Sequence, residues 1–406
     1  MLKYRLSLIA LFFGATLSQA QVAGPICKNG LNPITGERCA NAVTSAVPFL
    51  RITPDARGGG MGDVGIATSA DPNGMHYNAS KIAFSEKKSA ISATFTPWMR
   101  NLGINDVYLA YLSGYYRIDK FQAIAASLRY FSLGNIQFVD INQQSLGDGK
   151  PNEWEISAAY TRKLTDNFSA AIGAKYIQSN LANGQILPEQ QGTVIKPGQA
   201  GAADISFTYT SPLSLGNNNT DLTVGLAISN LGSKITYTNS VFRDYLPANL
   251  GLGYAWTFKL DDYNTLTWAT DFNKLLVPTP CRDLSQGVCD QDGDDVPDYK
   301  QSSSIRAAFA SFGDAPGGFS EELKEITIGT GLEYWYDDQF AVRVGYFYEH
   351  YSKGNRKYFN TGIGFKFNTM SINLSYLVPT TNQRNPLDNT LRFSLLFDLD
   401  SLSDEK

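Results

Sequence analysis

The sequence predicts an all-β protein: a 14-stranded antiparallel transmembrane β-barrel with an N-terminal plug segment and long loops. From Ser89 to Phe397, fourteen runs of residues alternate between apolar side chains and small or polar side chains. Because the side chains of a strand point alternately to its two faces, each run presents one apolar and one polar face. No run in this region reaches the roughly 20 continuous apolar residues of a membrane helix, so only strands that close on themselves could cross a bilayer here. The predicted strands are 89–98, 106–117, 121–132, 153–163, 167–178, 202–211, 221–230, 248–259, 264–272, 325–336, 340–351, 357–367, 371–379 and 390–398.

The links between the runs divide into two classes. Links after even-numbered runs are tight turns, and most links after odd-numbered runs are long. Bacterial outer-membrane barrels keep short turns in the periplasm and long loops outside the cell. We therefore expect a barrel over residues 89–398 that is integral to the outer membrane and surrounded by its lipid. Both termini, including a tail at 399–406, are then expected in the periplasm. The long links follow odd-numbered runs and include 133–152, 179–201, 231–247 and 273–324.

The first 20 residues have the composition of a secretory signal peptide. Two basic residues, Lys3 and Arg5, precede the apolar stretch 6–17, and a small-residue cleavage pattern ends at Ala20. Such a leader is removed on export and takes no part in the fold. The alternative is a membrane anchor, for which the apolar stretch is too short. Residues 21–47 then form an N-terminal extension.

Composition limits the classes of function. The formal net charge is −4, and the chain is rich in tyrosine and phenylalanine. It therefore offers no basic face for nucleic acid. The mean hydropathy of −0.21 suits a barrel, because only alternate strand residues face lipid and long loops face water.

Residues 48–88 form a glycine-rich segment ahead of the first strand. Such a composition favours a compact irregular segment held by backbone hydrogen bonds and ion pairs. The barrel lumen or its periplasmic mouth is the sheltered place next to it, so we predict a plug. Gly60, Gly62 and Gly65 match the GxGxxG pattern of dinucleotide sites, but no strand precedes them as that fold requires. The candidate ion-pairing residues of the plug are Arg51, Asp55, Arg57 and Asp63.

Four cysteines occur as two close pairs, Cys27 with Cys39 and Cys281 with Cys289. In an exported chain, an even number of locally spaced cysteines predicts two short disulfide loops. Free thiols are the alternative. A zinc site would need more ligands than these pairs and two histidines offer.

The stretch DQDGDDVPD carries alternating carboxylates and is similar to a DxDxD calcium loop of the thrombospondin-repeat kind. Alternating carboxylates can converge on one hard cation such as Ca²⁺. Position 295 is aspartate where such loops prefer glycine, and a solvated acidic loop is the alternative. No other cofactor is expected. The candidate ligands are Asp290, Asp292, Asp294 and Asp298.

The link 273–324 also contains a predicted amphipathic helix. Its apolar residues follow i, i+3, i+4, i+7 spacing, which places them on one side of a helix. We expect that side to pack on the barrel rim or on a partner. The residues are Ile305, Ala308, Phe309 and Phe312.

Catalysis has little support in the sequence. His76 lies in the predicted plug and His350 at a strand end, and neither has a nearby pattern for a nucleophile triad or a metal site. We therefore expect no enzyme. An outer-membrane deacylase stays open as an alternative, because triads assemble in space.

Several sequence blocks resemble the PorV family, the FadL-like outer-membrane component of the Bacteroidetes type IX secretion system. They are PFLRITPDARGGGMGD, ATSAD and NASKIAF near the N-terminus, and later DFNKLLVPTP and SFGDAPGGFSEELKEI. Together with the strand count and order, the resemblance covers nearly the whole mature chain. One departure is Ala79, where the wider FadL family tends to have proline in its Asn-Pro-Ala box. This departure puts in doubt a lipid-gating role inferred from that box.

The resemblance implies a non-enzymatic barrel that receives exported cargo. In this family, cargo carries a type IX C-terminal signal domain, leaves an SprA-type translocon and is delivered to an attachment complex with a PorU-type sortase. A plugged barrel of this size cannot pass folded cargo, but its long outer loops can bind it. The alternative is a FadL-like channel for hydrophobic small molecules, which needs an apolar internal pocket. The exposed loop residues predicted to bind partners are Phe242, Tyr245, Phe309, Phe312 and Phe319.

Overall fold

Fourteen antiparallel strands close into one barrel, as predicted. The computed structural model describes residues 41–100, 103–139, 144–182, 184–187, 193–215, 218–238, 243–280, 297–380 and 389–400. In these residues each barrel strand pairs with the next along the chain, and the last pairs with the first. The strands are β1 (Ser89–Pro97), β2 (Val107–Arg117), β3 (Gln122–Leu133), β4 (Asn152–Lys163), β5 (Phe168–Asn180), β6 (Gly198–Leu215), β7 (Asn218–Gly232), β8 (Asn249–Lys259), β9 (Asn264–Leu275), β10 (Thr327–Tyr336), β11 (Phe340–Tyr348), β12 (Lys357–Phe367), β13 (Met370–Pro379) and β14 (Leu391–Asp398).

The alternation in sequence corresponds to the two faces of the wall. In β1, Ile91 and Phe95 are exposed on the outside, whereas Ser92 and Thr94 are buried on the inside. The same period of two continues around the sheet, so the outer face is apolar and the inner face is largely polar. This is the distribution that a lipid-embedded barrel requires.

The β6–β7 hairpin is longer than its sequence indicates. The sequence predicts strands 202–211 and 221–230 here. In the structure Pro212 pairs with Asp221 and the ladder continues to Leu215 opposite Asn218. Proline lacks a backbone N–H but keeps its carbonyl as an acceptor, so pairing can continue past it.

Residues 53–84 lie inside the barrel, and we call them the luminal segment. They contain α1 (Ala56–Gly60), α2 (Gly74–Tyr77) and the 3₁₀ turn Ala79–Phe84. Helix α1 contacts β11 to β14, whereas the 3₁₀ turn contacts β3 to β6. These strands lie on opposite sides of the closed sheet, so the segment crosses the lumen between them.

The two ends of the described chain lie at opposite mouths of the barrel. The backbone N–H of Asn41 donates to the carbonyl of Ser352 at 2.7 Å, and Ala46 N donates to Tyr245 O at 2.9 Å. Ser352 and Tyr245 belong to long links, so this end is the long-loop mouth. At the other end Asp400 accepts a hydrogen bond from Ser89 N at 2.8 Å. Residues 41–52 therefore enter the lumen from the long-loop mouth. Both termini lie outside the described residues, so their expected position in the periplasm stays a prediction.

The long loops carry the remaining elements. None of the helices in the described residues is long and apolar enough to span a membrane. The elements are two small hairpins (Ile136–Val139 with Ser145–Gly149, and Ile186–Leu187 with Thr193–Val194), α3 (Ser304–Ala310), α4 (Phe319–Glu322), and the 3₁₀ turns Pro48–Arg51, Asp298–Lys300 and Leu323–Glu325.

Helix α3 forms where the spacing predicts a helix, and of its four predicted apolar residues Ala308 packs on the rim. Ala307 and Ala308 pack on the rim of the barrel, against clusters that include Val277 and Leu276. Ile305 and Phe309 stay exposed, at 63% and 77% of their surface. The small alanine side chains allow the helix backbone to approach the rim closely, and this leaves the large apolar residues outside.

Candidate functional site: the lumen and its long-loop mouth

The RGGGMGD stretch of the luminal segment packs directly on glycines of the barrel wall. A Cβ atom added to Gly345 of β11 would overlap the backbone of Met61 and Gly62, and one added to Gly331 of β10 would overlap Met61. Gly62 itself has a φ of 78°, a conformation that glycine adopts at little cost. The glycine pattern therefore serves close packing of two backbones, in place of the phosphate binding that GxGxxG suggests elsewhere.

A buried ion-pair network holds α1 to the wall. Arg57 donates to both carboxylate oxygens of Glu333, from Nη2 to Oε1 at 2.7 Å and from Nε to Oε2 at 2.9 Å. Arg343 of β11 donates from Nε to the same Oε2 at 2.6 Å. Arg57 also reaches Asp71 at 3.0 Å. Glu333 thus joins the luminal segment to the wall through two guanidinium groups.

The other predicted plug residues have different roles. Asp55 forms no ion pair within the described ranges: it caps α1 by accepting from Gly58 N at 2.9 Å and accepts from Tyr77 Oη at 2.7 Å. Burial and then the charge of Asp71 raise the pKa of Asp55. Asp63 accepts from Tyr358 Oη at 2.5 Å and lies 3.6 Å from Nη2 of Arg392.

The guanidinium of Arg51, the fourth predicted residue, has no hydrogen bond or ion pair with the part of the chain that the structure describes, and Glu349 is the carboxylate whose charge acts on it. Of the four candidates, Arg57 and Asp63 form ion pairs across the lumen, whereas Asp55 and Arg51 form none with the described residues.

Arg129 of β3 binds Phe49, Leu50 and His76 inside the barrel, and it was not predicted from the sequence. Its guanidinium donates to the carbonyls of Phe49 at 3.1 Å and Leu50 at 2.9 Å, and to Nδ1 of His76 at 2.7 Å. Burial, followed by the charge of Arg129, lowers the pKa of His76 well below its usual value. His76 is therefore a neutral acceptor in a structural network. The inward position of Arg129 in an alternating strand was the one available signal.

A cavity of about 180 Å³ lies in the lumen between the luminal segment and β7 to β14. Among the lining side chains, several carry charge or hydrogen-bonding groups: Arg51, Asp63, His76, Asn249, Asp271, Asn273, Arg356, Tyr358 and Arg392.

Buried charges anchor the long loop that contains α3 and α4, and we call them the loop anchor: Lys274, Glu321, Glu322, Glu325 and Lys353. Lys353 Nζ lies 2.8 Å from Glu321 and 2.9 Å from Glu325. Lys274 Nζ lies 2.8 Å from Glu322 and 2.6 Å from Glu325. Burial acts to raise the pKa of Glu325, but hydrogen bonds from Lys274, Thr279 and Lys353 outweigh it and lower that pKa. The block SFGDAPGGFSEELKEI is thus the part of the loop that ties it to the rim.

Replacing Lys353 with methionine is expected to loosen this loop. The change leaves two buried carboxylates short of a cation, which costs on the order of 3 kcal/mol. Chymotrypsin cleavage after Phe319 at neutral pH should become faster than in the unmodified protein. The control is Lys324→Met, because Lys324 is a neighbouring lysine without a place in the anchor. Equal cleavage rates for the two variants would contradict the anchoring role.

The structure exposes three of the predicted partner-binding residues. Phe309 and Phe319 are 77% and 75% exposed, and Phe312 is 49% exposed. Tyr245 was expected to be exposed, but it is buried, and its hydroxyl donates to the carbonyls of Ser302 at 2.6 Å and Tyr299 at 3.1 Å. Tyr245 therefore stabilises the loop at residues 299–302. Phe242 lies outside the described residues.

The predicted disulfide and calcium residues fall almost entirely outside the described chain. Asp298 is described and begins a 3₁₀ turn. Among the residues that the structure describes, no group of three or more acidic, histidine or cysteine side chains is arranged to hold a metal. Both hypotheses stay predictions. The residues outside the described ranges are Cys27, Cys39, Cys281, Cys289, Asp290, Asp292 and Asp294.

Comparison with known proteins gives one family and a set of similar folds. The family described as "Type IX secretion system protein PorV" matches residues 35–282. Comparison with curated proteins returns no significant match.

Solved structures similar to this chain include three bacterial proteins. The toluene transporter TodX of P. putida has 11% identity and a TM-score of 0.44, covering 84% of this chain and 95% of its own. The Ralstonia pickettii toluene transporter TbuX has 11% identity and a TM-score of 0.45, covering 84% and 96%. A Pseudomonas aeruginosa FadL homologue has 11% identity and a TM-score of 0.43, covering 89% and 100%. Structural similarity at this level of sequence identity does not indicate a shared substrate.

Proposed function

Because the chain belongs to the PorV family of type IX secretion system proteins, we propose that it binds exported cargo at its long-loop mouth. The bound element is the C-terminal signal domain of the cargo as it leaves an SprA-type translocon. The protein then delivers the cargo to an attachment complex with a PorU-type sortase. The long-loop mouth faces the cell exterior in this proposal, as long loops do in bacterial outer-membrane barrels.

The observation that carries the proposal is the pair of highly exposed aromatic residues on an anchored loop. Phe309 and Phe319 expose most of their surface to solvent. Exposed phenylalanine is costly on a free surface and is typical of residues that fill a pocket in a partner. The loop anchor holds the loop by buried charges at its base, so the aromatic residues are presented without a large ordering cost on binding.

The segment inside the lumen favours cargo binding by the loops over passage of cargo through this barrel. The luminal segment crosses the lumen and is joined to the wall through Glu333 and through packed glycines. We infer that it acts as a plug, and that no chemistry takes place in the barrel. His76 supports the second inference, because its Nδ1 is hydrogen-bonded to Arg129 and its ring has no hydrogen bond to a serine, threonine or cysteine among the described residues.

A channel for hydrophobic small molecules is the second candidate, since the closed 14-stranded barrel suits it equally. Such a channel needs a continuous apolar pocket inside the barrel. The luminal cavity is instead lined by charged groups such as Arg51, Asp271 and Arg392. This lining favours the cargo-binding role.

The test measures cargo co-purification and surface delivery of cargo in a strain whose gene for this protein is deleted and replaced by genes for its variants. The double variant Phe309→Ser, Phe319→Ser should lose most cargo co-purification, by about 10-fold or more, because each buried aromatic anchor is worth about 2 kcal/mol or more. The control is Phe367→Ser, which changes an aromatic residue of similar exposure, 74%, at the opposite mouth.

Normal surface delivery of signal-bearing cargo by the double variant would refute these residues as the binding site. Normal delivery by the deletion strain itself would refute the proposed function. Co-purification of fatty acids or other hydrophobic ligands in place of cargo would favour the channel.

A further inference from the structure

An apolar groove crosses the outer face of the barrel over β2 to β5, and its volume is about 1060 Å³. We propose that it binds one anionic phospholipid of the periplasmic leaflet, with the acyl chains in the groove and the phosphate beside the tight turns. The leaflet follows from the orientation proposed above, in which the tight turns face the periplasm. Cargo binding plays no part in this proposal, because Phe309 and Phe319 lie on the long loop at the other mouth.

The floor of the groove is a row of small residues on four neighbouring strands. Ala126 pairs with Gly114 and with Ala158, so these three residues lie side by side. Ala158 pairs in turn with Ala174. All four belong to the outward-facing set of their strands. The ladder is continuous from β2 to β5, so the groove has a closed floor and does not lead into the lumen.

Large side chains form both rims of the groove. Each rim lies two residues from the floor along the strands, so the rims stand about 13 Å apart, since a strand rises about 3.3 Å per residue. A recess of this width can hold acyl chains, which a wall covered evenly by large side chains cannot. The rim towards the long loops is Leu112, Leu128 and Ile156, and the rim towards the tight turns is Tyr116, Ile124 and Tyr160.

Two cations lie at the rim towards the tight turns. The ammonium group of Lys88 lies 5.5 Å from the ring centre of Tyr116. Arg162 is exposed and is the next outward residue after Tyr160 on β4. Within the described chain, neither cation forms an ion pair. Both are therefore open to an anionic group at this end of the groove.

Carboxylates beside the two cations already accept hydrogen bonds from the backbone. The charge of Arg162 acts on Asp119, but Asp119 accepts from Phe121 N at 2.7 Å and from Gln122 N at 2.8 Å. Asp400 is likewise held at the start of β1 by backbone N–H groups. An anionic headgroup is therefore favoured at the groove over the opposite side of this mouth, where the turns carry exposed acidic residues: Asp261, Asp262, Asp337 and Asp338.

Phosphate is the anion that fits the position of Arg162. A guanidinium group binds phosphate oxygens through two parallel hydrogen bonds. Arg162 lies four residues from Ala158, about 13 Å along the strand, and a strand tilt of about 35–45° makes this about 10 Å across the bilayer. A phospholipid places its acyl chains at such a depth below its phosphate. A membrane-spanning partner protein would fill the groove without needing cations at its end.

The test counts the lipids retained by the purified full-length protein in mild detergent, using native mass spectrometry. The probes are dioleoyl phosphatidylglycerol, which is anionic, and dioleoyl phosphatidylcholine, which has no net charge. The protein should bind phosphatidylglycerol about 5-fold or more tightly, because each nearby cation favours an anionic lipid by about that factor. Arg162→Gln should weaken phosphatidylglycerol binding by about 5-fold for the same reason. Its control is Lys259→Gln, which changes an exposed cation at the same mouth on β8.

Ala158→Phe should fill the floor of the groove and weaken binding of both lipids by about 10-fold or more, because several methylene groups lose their contact with the wall. Val344→Phe is its control, since Val344 is exposed on β11 at the opposite side of the barrel and, like Ala158, is the third outward residue from the tight turn. Heat-dependent gel mobility checks that each variant is a folded barrel.

The proposal is overturned if neither lipid is retained, if phosphatidylcholine binds equally well, or if Ala158→Phe keeps the affinity of the unmodified protein. It is also overturned if either control weakens binding as much as the variant it matches. Release of a co-purified membrane protein by Ala158→Phe, in place of lipid, would identify a protein as the occupant and would overturn it as well.

Discussion

Replacing Gly345 with leucine is expected to displace the luminal segment and to let ions through the barrel. Even a single added carbon at this position would overlap the backbone of Met61 and Gly62, and backbone cannot move aside as a side chain can. Overpacking of a close contact costs about 1–3 kcal/mol or more, and the segment can avoid the cost by leaving the wall. Conductance across planar bilayers should rise, and trypsin should cleave after Arg57.

Gly313→Leu is the control for this substitution. Gly313 lies in the long loop, and a Cβ added there meets no atom within 4 Å. This variant should keep the low conductance and the protease resistance of the unmodified protein. If Gly345→Leu does the same, the close packing of the segment on β11 does not keep the lumen closed.

Replacing Glu333 with glutamine is expected to lower the free energy of unfolding by about 3–5 kcal/mol. The side chain is buried, and its carboxylate is the shared partner of Arg57 and Arg343. Glutamine keeps the shape but removes the counter-charge of Arg343 and leaves Arg57 with Asp71 alone, in a buried site. Urea unfolding in lipid vesicles, followed by tryptophan fluorescence, measures the change.

Asp221→Asn is the matched control for Glu333→Gln. Asp221 pairs with Lys259 at 3.6 Å, and the two side chains are 42% and 60% exposed. An exposed pair of this kind contributes about 0–1 kcal/mol. A loss from Glu333→Gln no larger than that from Asp221→Asn would show that the buried network does not stabilise the protein.

The sequence was most informative where structure is local. Each barrel strand was predicted because side-chain alternation is a property of neighbouring residues. The β6–β7 hairpin was underestimated at Pro212, where the partner strand continues the ladder in spite of the missing donor. Helix α3 was placed correctly, and Ala308 of its predicted apolar side packs on the rim beside Ala307. Phe309 stays outside, and its packing on a partner stays a prediction.

The candidate site was predictable in part. Charged residues in the glycine-rich segment indicated ion pairs in the lumen, and Arg57 and Asp63 form them. Their partners Glu333 and Arg392 lie far along the chain, and alternation indicates that such residues point inward without showing which residue they face. Tyr245 was expected outside and is buried, because the loop above it folds back over the rim.

Strand number, strand order and the glycine-rich segment followed from the sequence by itself, since a period of two and a clustered composition can be recognised without knowing any distant contact. Closure of the barrel decided the rest. It brings Arg57 to Glu333 across 276 residues, leads residues 41–52 in from the long-loop mouth, and places Arg51 beside a luminal cavity. These features depend on which inward side chains face each other across the lumen, and that is set only when the first strand meets the last.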